Sequence, residues 1–147
     1  MTTAPRHPDK RMAALIAYFE QLGTADLARL DERYTEQAFF KDPFNEVQGL
    51  AGIERVFAHM FETLASPRFV VLDAITQGSQ GFISWDFLFR LKGETQERRI
   101  HGSSHLRFAP DGRVAYHRDY WDAAEQFYEQ VPLLGTLLRL IKRRLRA

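Results

Sequence analysis

The chain has 147 residues, of which 45% are hydrophobic and 13% aromatic, and it contains no cysteine. This length and apolar content predict one compact domain with its own core. The absence of cysteine excludes a disulfide framework and thiolate chemistry. The first ten residues show no secretory signal, and no stretch has the length of a membrane span, so we expect a cytoplasmic protein.

Charge is unevenly distributed along the chain. The net charge is +1, yet residues 131–147 hold five basic residues and no acid, which leaves −4 for residues 1–130. Binding to nucleic acid requires clustered lysine and arginine on the main domain. The acidic balance of residues 1–130 therefore argues against a nucleic-acid partner.

The first half of the chain has the periodicity of helices. Apolar residues recur at three- and four-residue spacing over residues 11–22, which predicts a helix that ends at Gly23. Thr24 is the predicted N-cap of a second helix. The apolar residues of that second helix are Leu27, Leu30 and Tyr34. A third helix is predicted over residues 50–64.

The second half of the chain has the pattern of strands. Runs rich in β-branched and aromatic residues, separated by turn residues, predict four strands at 69–75, 82–91, 98–108 and 114–121. Helices followed by consecutive antiparallel strands indicate an α+β fold with helices packed on one face of a curved sheet.

We divide the chain into a flexible N-terminus (1–9), one domain (10–122) and an amphipathic basic tail (123–147). The tail has a helical pattern that is interrupted near Pro132. Its apolar stripe consists of Leu134, Leu137, Leu138, Ile141 and Leu145. We expect this stripe to pack on the body or across a dimer contact. A peripheral membrane helix with its basic residues toward lipid headgroups is the less favoured alternative.

Asp42 is the first candidate for chemistry. It follows Phe39 and Phe40, precedes Phe44, and is followed directly by Pro43. Burial among phenylalanines would raise the pKa of the carboxyl group and make Asp42 a desolvated proton-transfer group. The alternative is structural, because Asp-Pro is also a common start of a turn.

The last predicted strand carries a second candidate cluster. Alternation along a strand places His117, Asp119 and Trp121 on one face. If that face meets the helices, an imidazole and a carboxylate line the same cavity as Asp42, which is an acid/base arrangement. In the alternative, Asp119 is a solvated edge charge and His117 a structural histidine.

Other kinds of site receive little support. His101 and His105 are four residues apart on a predicted strand, roughly 13 Å, which is too far for a shared metal ion. No phosphate-binding glycine loop or nucleotide fingerprint occurs. We therefore expect a pocket that works without a cofactor or metal.

The order of helix, helix, Asp-Pro segment, helix and four-strand meander resembles the cone-shaped fold shared by nuclear transport factor 2, the ketosteroid isomerases and the SnoaL-like polyketide cyclases. The spacing from Tyr18 to Asp42-Pro43 matches that between the oxyanion-hole tyrosine and the catalytic Asp-Pro of the isomerases. The resemblance covers residues from about 10 to 122. It implies three helices packed over a pocket, with Asp42 as the base and Tyr18 as the oxyanion donor.

The resemblance is incomplete at two positions. Ser104 stands where the isomerases have a protonated aspartic acid, and Phe57 stands where many have a tyrosine that supports the oxyanion tyrosine. Loss of one oxyanion donor typically costs about 10²–10³ in rate. Efficient steroid isomerisation is therefore not expected, and the polyketide cyclases resemble this chain more closely.

The expected function is cofactor-free proton transfer next to a carbonyl of a hydrophobic molecule, as an isomerase or aldol-type cyclase. Asp42 would abstract the proton, Tyr18 with help from Ser104 would donate to the enolate oxygen, and His117 with Asp119 would relay the proton. The predicted apolar wall is Phe40, Phe57, Trp85 and Trp121. The alternative is a non-catalytic module that binds a hydrophobic ligand or another protein. We also expect a homodimer through the sheet.

Overall fold

The computed structural model describes residues 6–146. Within that range the α-helices are α1 (Lys10–Gln21), α2 (Leu50–Thr63), α3 (Ala123–Gln126) and α4 (Leu134–Leu145). The strands are β1 (Tyr34–Lys41), β2 (Glu46–Gln48), β3 (Leu64–Gln77), β4 (Gln80–Leu91), β5 (Arg98–Phe108) and β6 (Val114–Trp121). Two 3-10 helices complete the elements, at Thr24–Glu32 and Tyr128–Gln130.

The strands form one curved, unclosed sheet in the order β2-β1-β6-β5-β4-β3. Strands β3 to β6 are the predicted antiparallel meander. Strand β1 extends the sheet by pairing parallel to β6, and β2 pairs antiparallel to β1. The sequence predicted the α+β class and the four-strand meander, and both are confirmed.

The core lies between the helices and the inner face of the sheet. Helix α1 begins at its N-cap Asp9, whose Oδ1 accepts a hydrogen bond from the Arg11 amide at 2.9 Å. The apolar sides of α1 and α2 are buried through Met12, Leu15, Ile16, Phe19, Ile53 and Phe57. The inner face of the sheet meets them with buried Val71, Ile83, Trp85 and Leu106. This packing buries the apolar sides of the helices against the inner face of the sheet.

Strand bounds differ from prediction only in the first half of the meander. The bounds of β5 and β6 are those predicted. Strand β3, predicted at 69–75, starts already at Leu64. The extension contains a register shift between Ala65 and Arg68, and Ser66 there has a φ of 51°. A bulge lets the strand continue past Pro67, which donates no ladder hydrogen bond.

The predicted second helix is a 3-10 helix, with a non-helical residue at Arg29. Its N-cap is Gly23 and not Thr24. The carboxylate of Asp26 accepts a hydrogen bond from the Gly23 amide at 2.8 Å, so a side chain from the first turn supplies the cap. Tyr34, which the periodicity placed in this helix, is the first residue of β1.

Part of the predicted flexible N-terminus, residues 1–5, lies outside the described residues. The remainder is tied to the body. Arg6 donates a hydrogen bond from Nη2 to the Val71 carbonyl at 2.7 Å and forms an ion pair with Glu20.

We expected the apolar stripe of the tail to pack on the body or across a dimer contact; the structure does not place it on the body, and the dimer contact stays a prediction. Helix α4 packs against the 3-10 helix at Tyr128–Gln130, and its Leu137, Ile141 and Leu145 are exposed. The contacts of α4 come from another side of the helix, and they are made with Glu125 and Glu129 in the preceding part of the tail. No helix in the described part of the chain is both long and apolar enough to cross a bilayer.

Candidate functional site

A chain of hydrogen bonds between side chains crosses the inner face of the sheet. The Tyr34 hydroxyl lies 2.8 Å from His117 Nδ1, and His117 Nε2 lies 2.7 Å from Asp119 Oδ1. The Ser104 hydroxyl donates to the same Asp119 oxygen at 2.5 Å, and Trp85 Nε1 donates to Ser104 Oγ at 2.8 Å. Four strands supply these five side chains, which we call the Tyr34–Trp85 chain. Its members are buried or nearly so: the side chain of Asp119 is 15% exposed and that of His117 is 4% exposed.

Proton positions along this chain follow from its donors. The Asp119 carboxylate can only accept, so His117 Nε2 carries a proton and donates it to Asp119 Oδ1. In the neutral imidazole Nδ1 is then an acceptor for the Tyr34 hydroxyl, whose pKa burial raises well above its usual value. Asp119 Oδ1 accepts two hydrogen bonds, and Oδ2 accepts none from residues 6–146. One carboxylate oxygen is thus held in place and the other is available.

A small apolar cavity adjoins the hydrogen-bonded side chains of the Tyr34–Trp85 chain. It is lined by Phe19, Phe57, Phe69, Val71, Ile83, Trp85, Ser104, His117 and Asp119. Its volume is about 20 Å³, enough for a single water molecule and far below that of a ligand pocket. Parity correctly placed His117 and Asp119 on one face, and the structure shows that this face meets Ser104, Trp85 and the α2 residue Phe57 at the cavity. The expected roomy aromatic pocket is instead filled by its own side chains.

A wider cleft lies on the other side of Asp119. This outer cleft has a volume of about 460 Å³. It is lined by Lys41, Asp42, Pro43, Arg118, Asp119, Tyr120, Trp121 and Asp122. Asp119 is the residue that borders both the cavity and the outer cleft. The lining is mostly charged, and its size is in the range of small-molecule sites.

Asp42 lies in the turn between β1 and β2. Its Oδ1 accepts hydrogen bonds from the amides of Phe44 at 2.8 Å and Asn45 at 2.7 Å, and the Asn45 side chain donates to both carboxylate oxygens at 3.1 Å. The prediction of a desolvated carboxylate is therefore corrected, because only one neighbouring phenylalanine is deep in the core. Phe40 is 1% exposed, whereas Phe44 is 52% exposed. The turn role of Asp-Pro is the one observed.

Tyr18 is not brought together with Asp42. Its ring lines a hollow bordered by Asp26, Arg29, Glu32 and Arg33. The hydroxyl is buried and has no hydrogen-bond partner among residues 6–146. Burial, followed by the charge of Asp26, raises the pKa of Tyr18 to about 12. Tyr18 borders neither the apolar cavity nor the outer cleft.

The remaining predicted pocket residues take supporting positions. Phe40 packs edge-on against Phe57 and His117, with ring centroids 5.7 and 4.8 Å away. Trp121 lies at the outer cleft, where its ring meets Phe44 at 5.4 Å. No group of three metal-ligating side chains occurs among residues 6–146.

Tyr34 is the site residue that sequence reasoning missed. Its partner His117 is 83 positions away in sequence. The two meet because β1 pairs parallel to β6, with Phe40 opposite His117. A lone tyrosine after a helical pattern gives no local signal of such a contact, and only the β1–β6 pairing would have revealed it.

The sheet order and the helices packed on it define the cone-shaped fold of the nuclear transport factor 2-like class. The sequence profile of the SnoaL-like domain matches residues 15–117, more than half of the chain. The chain therefore belongs to the SnoaL-like family.

Solved structures agree on the fold. A candidate SnoaL-like polyketide cyclase from Jannaschia sp. CCS1 has a TM-score of 0.69 at 16% identity, covering 84% of this chain and 94% of its own. A candidate isomerase of the SnoaL-like family from Agrobacterium tumefaciens has a TM-score of 0.61 at 16% identity, covering 76% and 94%. A hypothetical protein with ketosteroid isomerase-like fold from Catenulispora acidiphila, in complex with trimethylamine, has a TM-score of 0.68 at 14% identity, covering 80% and 89%. A search of curated proteins gave no match.

Proposed function

We propose that the protein is a cofactor-independent enzyme that moves a proton next to a carbonyl group, with isomerase or aldol-cyclase chemistry, and that Asp119 is its base. The observation that carries this proposal is the buried His117–Asp119 pair, in which Asp119 is the residue that lines both the apolar cavity and the outer cleft. Membership of a family that includes candidate isomerases and cyclases supports the same class of chemistry.

Geometry favours Asp119 over Asp42 for this role. The hydrogen bonds of Asp42 come from its own turn, whereas Ser104 and His117 orient Asp119 from two strands. Two donors on Oδ1 fix the carboxylate and leave Oδ2 to take the proton. Preorganisation of this kind is what a positioned base requires.

The reaction would run in the outer cleft, since the cavity is too small for a ring-bearing substrate. Asp119 Oδ2 takes a proton from the carbon next to the carbonyl, the C–H bond breaks, and its electron pair moves into an enolate. Lys41 and Arg118 border the cleft and supply positive charge for the developing oxyanion. The enolate then takes the proton back from Asp119 at a different carbon. In the aldol alternative its carbon attacks a second carbonyl, whose π electrons move to the oxygen, and the resulting alkoxide takes the proton from Asp119.

Hydrogen–deuterium exchange at carbon tests this proposal directly. The full-length protein is mixed in D₂O with a panel of hydrophobic ketones and diketones, and loss of the α-proton signal is followed by NMR. We expect exchange above the buffer rate for at least one member. Asp119→Asn should lower that exchange rate by about 10²–10⁴, the usual contribution of a general base.

Asp42→Asn is the matched control and also tests the assignment that the sequence suggested. If Asp42→Asn abolishes exchange while Asp119→Asn keeps it, Asp42 is the base and our assignment is wrong. If the folded wild-type protein exchanges no ketone, the proton-transfer proposal fails and the second candidate below becomes the better one.

The second candidate is an interaction module that pairs through the outer face of the sheet. A row of aromatic side chains crosses that face. Phe82 stacks on His105 at 4.4 Å, His105 meets Tyr116 at 5.3 Å, and Tyr116 stacks on Phe39 at 5.3 Å. Phe82 is 45% exposed, and its strand partner Ile75 is 66% exposed. An exposed apolar patch of this kind is typical of a protein-binding surface.

We propose that a second copy of the chain covers this face. Light scattering after gel filtration should give a dimer mass for the wild type and a monomer mass for Ile75→Lys/Phe82→Lys. The control, Thr95→Lys/Gln96→Lys, adds the same charge in the exposed β4–β5 turn and should remain dimeric. A wild-type monomer at all concentrations would contradict the dimer.

A further inference from the structure

Helix α4 presents its apolar side to solvent and a polar side to the preceding part of the tail. The side that makes these contacts is formed by Gly135, Arg139 and Lys142. A Cβ atom at position 135 would lie 2.2 Å from the Glu129 carbonyl oxygen, so only glycine permits this approach. Arg139 donates to that carbonyl at 3.0 Å, and Lys142 donates to Glu125 at 2.9 Å. These contacts fix the rotation of α4.

With that rotation, most of the leucine-rich side of the helix is exposed to solvent, and only Leu138 is half-buried. Leu137 is 54% exposed, Leu140 is 53% exposed and Leu145 is 81% exposed. Leu133, at the start of the helix, is 87% exposed. Amphipathic helices normally bury such a side against a core. An external apolar surface must therefore be what covers it.

The charge of the segment identifies the chemistry of that surface. Residues 131–147 carry +5 and no acid. Arg143, Arg144 and Arg146 form no ion pair with any residue that the structure describes. A second α4 from another copy would bring the +4 of one helix against the +4 of the other, which disfavours helix-to-helix self-association. An anionic surface with an apolar interior matches both the leucines and the arginines.

We infer that α4 is an interfacial helix that docks this protein on anionic lipid membranes. The leucine side enters the boundary between headgroups and acyl chains, and Arg143, Arg144 and Arg146 meet lipid phosphates. Residues 1–130, with their charge of −4, are repelled from the same surface. The protein is thereby oriented with the tail on the membrane and the domain away from it.

Vesicle flotation with the full-length protein tests this inference. The wild type should float with vesicles of phosphatidylcholine mixed with phosphatidylserine, and much less with phosphatidylcholine alone. Arg143→Glu/Arg144→Glu should weaken binding by on the order of 30-fold or more, since each basic residue near the surface contributes about fivefold. Leu137→Ser/Ile141→Ser should weaken it at least about tenfold. Circular dichroism checks that each variant is folded.

The control variant is Arg55→Glu/Lys92→Glu, which changes the net charge equally at two exposed positions of the body. It should float like the wild type. The inference is overturned if the wild type does not bind anionic vesicles, or if both tail variants bind as well as it does. It is equally overturned if the leucines of α4 prove necessary for self-association and not for vesicle binding. Ketone exchange is measured separately, so neither result depends on the other.

Discussion

Asp42 and Asp119 are both strand-end carboxylates that accept several hydrogen bonds, yet they differ in where those bonds come from. The donors to Asp42 lie within three residues of it, in the turn it begins. The donors to Asp119 come from His117 and from Ser104 on the neighbouring strand, with Trp85 behind Ser104. All donors to Asp42 are local, whereas one of the two donors to Asp119, Ser104, reaches it from the neighbouring strand and ties the carboxylate to the sheet beside the cavity.

The largest expected effect separates the two carboxylates by stability. Asp119→Ala leaves the His117 Nε2–H and Ser104 hydroxyl donors buried without an acceptor, which should lower the free energy of unfolding by about 3 kcal/mol. Asp42→Ala removes exposed turn contacts and should cost about 1 kcal/mol. Urea denaturation measures both values.

Asn variants of the same residues are the controls for this comparison. Asp119→Asn keeps an acceptor oxygen for both donors, so it should lose less stability than Asp119→Ala. Equal losses for Asp42→Ala and Asp119→Ala would show that the donors of Asp119 find other partners. The distinction drawn between the two carboxylates would then fail.

Strand parity explains what could be predicted at the site. Alternation along β6 placed His117 and Asp119 on one face, and the Pro110-Asp111-Gly112 turn fixed where β5 ends and β6 begins. Parity is a local property of an extended chain, so it can be predicted from the amino-acid sequence alone. Parity does not show which face of the sheet meets the helices. Only the fold shows this.

Asp42 and Tyr34 show why the rest could not be predicted. Phenylalanines around Asp42 suggested burial, but neighbours along a strand point to opposite faces, and Phe44 follows the strand in the turn. Tyr34 acts through a residue 83 positions away, for which a single sequence has no signal. For α4, periodicity identifies the apolar side but not the surface that covers it.

A smaller loss of stability is expected for Tyr34→Phe, at the first residue of the Tyr34–Trp85 chain. Tyr34→Phe removes the hydroxyl that donates to His117 Nδ1 and leaves a buried acceptor without a donor. The free energy of unfolding should fall by about 1–2 kcal/mol. Nitrogen NMR of the His117 ring should also change, because Nδ1 loses its hydrogen bond while Nε2 keeps Asp119. An unchanged ring spectrum would mean that Tyr34 does not set the state of His117.

The smallest effect is expected for Tyr18→Phe, which tests the other half of the resemblance to the isomerases. The Tyr18 hydroxyl is buried without a partner among residues 6–146, so its removal should leave the free energy of unfolding near neutral pH within about 0.5 kcal/mol, or raise it. If Tyr18 were the oxyanion donor, its loss would slow ketone exchange by about 10²–10³. Because Tyr18 borders neither the cavity nor the outer cleft, we expect no such loss.

An alkaline titration adds a signature of the Tyr18 environment. The pKa of Tyr18 is raised from 10.0 to about 12 by burial, so the folded state holds this proton more tightly than the unfolded state. The resulting stabilisation is complete below pH 10 and is lost as pH rises toward 12. Tyr18→Phe has no hydroxyl to ionise and so lacks this loss. Its urea unfolding midpoint should therefore fall less steeply with pH, between pH 10 and pH 12, than that of the wild type. An equal slope for Tyr18→Phe and the wild type would show that the Tyr18 hydroxyl is solvated.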